Sequence, residues 1–128
     1  MGRAQSADLS QGRADIMAKG LTLTSDQAAK FWPLFEEFRK ERDLIVNEQI
    51  QATEQFAQHY RDRSDKDALA YVNSLLARDK KMNDLRVKWL AKFQSAVPGK
   101  IAARAIQLDR RLGQLAQVQV SQKIPLVR

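Results

Sequence analysis

From Ser25 to about Asp62 the chain runs 38 residues with no helix breaker except Pro33, and Phe31, Leu34, Phe35, Phe38, Ile45, Ala52 and Phe56 recur along it at spacings of three, four and seven. That period lays one apolar stripe along one side of a helix. At 1.5 Å per residue the helix is about 57 Å long, whereas a compact domain of 128 residues has a radius of gyration of about 14 Å. A helix longer than such a globule is wide forces an elongated, thin fold. A thin fold leaves apolar surface for a partner or a second subunit to cover, so a homodimer is expected.

The ends of this helix and of its neighbours are also written in the sequence. In Leu23-Thr24-Ser25-Asp26-Gln27, Thr24 can cap the helix and Gln27, three residues on, can return a hydrogen bond to the backbone of the cap. Pro33 removes the hydrogen bond to the Ala29 carbonyl, which predicts a kink there or a short break after Trp32. Ser64, with Asp67 three residues later, caps a second periodic run through Leu69, Val72, Leu76, Met82, Leu85, Trp89 and Phe93, ending near Val97. Pro98-Gly99 then opens a last helix with the stripe Ile101, Ala105, Leu108, Leu112 and Leu115, fading before Pro125. Ahead of the long helices, Ala14, Ile16, Met17 and Ala18 support about two turns beginning after Asp8 or Ser10 and ended by Gly20, a short and loosely held helix. The apolar tail Ile124-Pro125-Leu126-Val127 is expected to pack on something. The reading is all-α and a single domain over 1–128. Residues 1–20 form a loosely ordered N-terminal segment, and 21–128 form an elongated antiparallel hairpin plus a C-terminal helix.

If the two long helices turn back around Arg63 and Ser64, facing residues have numbers that add to about 127. This register sets Phe35 near Lys92 and Phe93, Phe38 near Trp89, Ile45 near Met82, and Phe56 near Tyr71 and Val72. In the middle it sets Arg42 opposite Leu85 and Arg86, and Gln49 opposite Arg78 and Asp79. The seam is thus polar where a plain two-helix core stays apolar. Either a fourth helix covers that stretch or it faces water in a groove.

The residue inventory excludes most chemistry. There is no cysteine and a single histidine, His59, so neither a thiol nucleophile nor a cluster of soft metal ligands can be assembled. His59 falls near the tip of the hairpin and reads as a solvated side chain. The carboxylates Glu36-Glu37 and Glu41-Asp43 alternate with Arg39, Lys40 and Arg42, the pattern of a solvated helix face with i,i+4 ion pairs. No glycine-rich phosphate loop or nucleophile elbow occurs. The chain is read as a non-enzyme without metal or cofactor. Phe31, Phe35 and Phe38 stand at core spacing, and only Trp32 lies off the stripe.

Charge gives the functional lead. The net charge is +7, but residues 1–63 hold nine Lys/Arg against ten Asp/Glu, and residues 64–128 hold thirteen against five. Such an imbalance marks a surface for acidic polypeptide, anionic lipid or nucleic acid, or serves solubility alone. Lys81, Lys88 and Lys92 with Leu85 line one side of the third helix, and Arg104 and Arg111 repeat on the fourth. No helix-turn-helix or RNA-binding aromatic motif accompanies them, which disfavours nucleic acid and leaves an anionic membrane surface as a further partner. No apolar run reaches the roughly 20 residues that span a bilayer.

Leu23-Thr24-Ser25-Asp26-Gln27 resembles the LTxxQ motif of the periplasmic Spy and CpxP proteins, with Leu23, Thr24 and Gln27 at the motif positions. Helical order and length extend the likeness over roughly residues 10–115. The family's second copy of the motif falls here on Val97-Pro98-Gly99-Lys100-Ile101, which departs at each defining residue. Ala28-Ala29-Lys30-Phe31-Trp32-Pro33, Ala102-Ala103-Arg104 and Lys123-Ile124-Pro125-Leu126-Val127 are similar to a branch of small exported proteobacterial proteins of unknown function. The resemblance implies a cradle-shaped dimer and a periplasmic location, with a signal peptide removed ahead of Met1. It also implies ATP-independent chaperoning of flexible or partly unfolded polypeptides. On that expectation Arg42, Arg78, Lys81, Leu85, Arg86 and Lys88 form the client-binding face. The alternative is an envelope-stress signalling adaptor that docks one specific envelope protein on the same face.

Overall fold

Two reciprocal hydrogen-bond patterns start the long helices. The Thr24 N–H donates to Gln27 Oε1 at 3.1 Å while the Gln27 N–H donates to Thr24 Oγ1 at 3.2 Å, so the capping box forms as its spacing predicts. Ser64 caps the next helix, its Oγ accepting from the Asp67 N–H at 3.2 Å. The computed structural model describes residues 15–58 and 64–121, with side chains through Leu115. All of its described elements are helices: α1 over residues 15–21, α2 Ser25–Gln58, α3 Asp65–Gln94 and α4 Gly99–Ser121. The expected cap of α1 at Asp8 or Ser10, the last turn of α2 to Asp62, His59 and the apolar tail from Lys123 to Val127 lie outside the described residues.

The helical hairpin closes in the predicted register. Phe38 meets Trp89 with ring centroids 6.1 Å apart, and Phe56 stacks on Tyr71 at 3.9 Å. Both pairs add to 127. Two cross-helix ion pairs, Glu41 with Lys88 and Glu48 with Lys81, add to 129. Pro33 neither ends nor breaks α2, which runs through it. Pro33 and Ala29 are both exposed, so the carbonyl that lost its helical donor faces water and the interruption stays cheap.

The core gathers at the end of the hairpin where all four helices meet. Phe31, Phe35, Phe38, Trp89 and Phe93 form a continuous aromatic layer, with Trp32 at its half-buried edge on Phe31 and Phe35. Met17 and Leu21, one helical turn apart, are each 1% exposed within it, which a loosely held segment would not achieve. Their burial extends α1 past Gly20. The left-handed residue that ends the helix is Thr22, at φ 47°, whose N–H returns to the Ala18 carbonyl at 3.4 Å. For a β-branched residue this is a true outlier. Gly20 serves close approach instead: a Cβ there would stand 2.7 Å from Leu108 Cδ1 on α4.

Two stripes differ from the sequence reading. On α4, among the positions whose side chains are described, the fully buried ones are Ala102, Ala105 and Asp109, while Leu115 is 63% exposed. On α3, Leu69 and Leu76 are 64% and 60% exposed and Val72 is also exposed. The face of α3 turned to α2 carries Tyr71, Arg78, Met82, Leu85, Trp89 and Phe93. At about 100° per residue, Leu69, Val72 and Leu76 lie roughly 100–160° around from Tyr71, and beside them the structure places no covering group among the described residues.

Candidate functional site: the polar middle of the hairpin

Both alternatives for the polar middle occur, one after the other along the seam. At the level of Arg42 the fourth helix covers it. Arg42 Nη1 donates to Asp109 Oδ1 at 2.5 Å, and Arg86 Nη2 donates to Asp109 Oδ2 at 3.3 Å. Arg42 and Asp109 are 2% and 1% exposed, so one carboxylate from α4 ties α2 and α3 together inside the protein. An ion pair this deep gains from the low local dielectric only because both charges are matched; either one alone would be strongly destabilising. Burial pushes the Arg86 guanidinium below its ordinary value, Asp109 opposes that, and Arg78 and Arg110 add repulsion.

Further from the core end, α2 and α3 leave a water-accessible pocket of about 140 Å³ lined by Ile45, Glu48, Gln49, Ala52, Ser74, Ala77, Arg78 and Lys81. Arg78 Nη1 bonds the neighbouring Asp79 at 3.1 Å. The Nε atoms of Arg78 and Arg86 are buried with no hydrogen-bond partner. Lys81 bridges the mouth to Glu48 at 3.1 Å.

Two turns nearer the core, Glu41 accepts from Lys88 Nζ at 2.9 Å and from Trp89 Nε1 at 2.5 Å. The indole donor, with Lys88, holds the Glu41 carboxyl below the usual carboxylate range despite partial desolvation. Lys92 stands 4.4 Å over the Trp89 ring, a cation–π contact.

The six side chains assigned to a client-binding face therefore separate. Arg42 and Leu85 are corrected to the interior, at 2% and 7% exposure, because an acid on α4 and the aromatic layer claim them; neither can touch a partner. Arg86 is mostly buried against Asp109. Arg78 lines the pocket, and Lys81 and Lys88 are exposed at its rim and just beyond. Leu23, Thr24 and Gln27 act locally, Thr24 and Gln27 as the cap and Leu23 against the core. Sequence reasoning missed Asp109. The signal was present, since Asp109 is the only acidic residue after Asp84 and stands at i+4 from Ala105. Among the described residues no group of three or more His, Asp or Glu side chains converges as a metal site would. No family model matches this protein, and neither the curated proteins nor the solved structures contain a match.

Proposed function

We propose that this protein binds flexible or partly unfolded polypeptides without nucleotide, as a Spy/CpxP-like chaperone of the periplasm. The observation that carries the reading is the far arm of the hairpin. There Leu69, Val72 and Leu76 stand exposed in one stripe on α3, close in sequence to the basic pocket of Arg78 and Lys81. An apolar stripe and a positive rim on opposite flanks of one arm suit weak, sequence-tolerant capture. The lysines and arginines draw acidic clients in from a distance, and the stripe holds them by burying their apolar side chains.

The decisive experiment incubates the protein, at near-equimolar ratio and without ATP, with two chemically unrelated denatured proteins and follows their aggregation by light scattering. Suppression of both is expected, and Leu69→Ser with Leu76→Ser should weaken it several-fold. Suppression of neither, together with saturable binding of one folded envelope protein, would replace this reading with the signalling adaptor. Raising salt from 50 to 300 mM, which shortens the Debye length from roughly 14 to 6 Å, should slow client capture more than it speeds release.

A further inference from the structure

The exposed stripe of Leu69, Val72 and Leu76 is the far continuation of the side of α3 that α4 covers. At about 100° per residue, Arg86, which bonds Asp109 of α4, lies about 60° around α3 from Tyr71, and the stripe lies roughly 100–160° around in the same sense. Lys81 and Lys88 lie roughly 80–100° around in the opposite sense, so the basic rim is on the other flank. The Arg86–Asp109 bond and the turn between Gln94 and Gly99 give α3 and α4 facing residue numbers that add to 193–195. On that register Ser121, the last residue of α4, comes level with residues 72–74 of α3, with the chain heading toward Leu69.

We infer that the apolar segment after α4, Ile124-Pro125-Leu126-Val127, packs on this stripe of its own chain. Reach comes first. Leu69 and Leu76 are about 10 Å apart along the helix, and the six residues 122–127, extended, reach about 20 Å, enough to cross from α4 to α3 and cover the stripe. Pro125 biases Ile124 toward the extended conformation and brings no N–H that an apolar surface would leave without an acceptor. Charge agrees with reach. Lys123 and Arg128 bracket the apolar residues, and Asp79 and Asp65 bracket the stripe, roughly 80–120° around from Tyr71 in its sense. A chain travelling from Ser121 toward Leu69 meets them in matching order, Lys123 at Asp79 and Arg128 at Asp65. Asp79 already holds Arg78 but is 58% exposed, open to a second cation, and Asp65 is exposed. A short tether supplies the segment at an effective concentration on the order of millimolar, which a second copy or a client has to match.

The docking itself does not depend on polypeptide binding; its consequence, that a client has to displace the segment, rests on that reading. In this cysteine-free chain, Val72→Cys with Leu126→Cys should form an intramolecular disulfide under mild oxidation at least tenfold faster than Lys81→Cys with Leu126→Cys, which puts the thiol on the other flank. Adding Ile124→Ser, or Asp65→Lys with Asp79→Lys, should slow the first pair several-fold. Equal rates for the two pairs overturn the inference, and so do cross-linked dimers whose share rises with protein concentration, the mark of a second copy on the stripe. Where a cysteine variant fails to fold, the unsubstituted protein decides. Nuclear Overhauser contacts between the methyls of Ile124 or Leu126 and those of Leu69 or Leu76, unchanged on dilution, are expected, and their absence overturns the inference. Ile124→Ser with Leu126→Ser should then strengthen client binding at least threefold. Docking with no such gain keeps the inference and removes the stripe from the function; client binding through the stripe without docking does the reverse.

Discussion

At the scale of single residues, Asp109 is the most constrained position. Asp109→Ala leaves Arg42 charged and 2% exposed with its principal partner gone, and should cost about 3–5 kcal/mol, measured by urea unfolding. Replacing Arg42, Arg86 and Asp109 together by Met, Met and Leu should instead be neutral or stabilising, because well-packed apolar groups avoid the desolvation that the ion cluster carries. Glu41 gives a pH test. Its folded-state carboxyl lies below the usual range, so its contribution is present above the unfolded value of about 4.3. That contribution is lost as pH falls through the lower folded value. In a Trp32→Phe background, Trp89 fluorescence should report that acid transition, and Glu41→Gln should remove it. The pairing of Phe38 with Trp89 was legible from register alone. The burial of Arg42 was not, because its cause is a carboxylate 67 residues away on a helix whose orientation no local pattern specifies.

At the scale of elements, the caps and the proline act in opposite directions. Thr24→Ala removes one half of the capping box and should destabilise by about 1 kcal/mol. Pro33→Ala restores the donor to the Ala29 carbonyl in a helix that is already continuous, and should stabilise by about 1 kcal/mol, less than an interior proline usually costs, because that carbonyl already faces water. A fall in melting temperature for Pro33→Ala would mean that α2 needs the bend a proline brings. Helix starts were readable at Thr24 and Ser64 because a cap is settled within four residues. The end of α1 was not, since Gly20 looks like a helix stop in sequence and is used for contact with Leu108. The same limit explains the stripe of Leu69, Val72 and Leu76: periodicity tells that a helix has an apolar side, but only packing tells which side is covered. Their exposure is what turns the far half of α3 from a core element into a candidate binding surface.

At the scale of the molecule, length and thinness were fixed by one helix. The 34 residues of α2 span about 51 Å, so small-angle scattering should return a radius of gyration clearly above the roughly 14 Å of a compact protein this size. A value near 14 Å would mean that the hairpin folds back on itself in solution. The carboxylate that neutralises the seam has a consequence in time as well as in space. A polypeptide that leaves a ribosome or threads a narrow pore N-terminus first presents α2 and α3 well before Asp109 emerges. Until then the middle of the hairpin has neither the cover nor the buried carboxylate that α4 supplies, so the aromatic residues of α2 and α3 can meet while the waist stays wet. The last helix thus sets the moment at which the fold is complete, and a nascent polypeptide stalled before it would hold a hairpin joined at its ends and open between them.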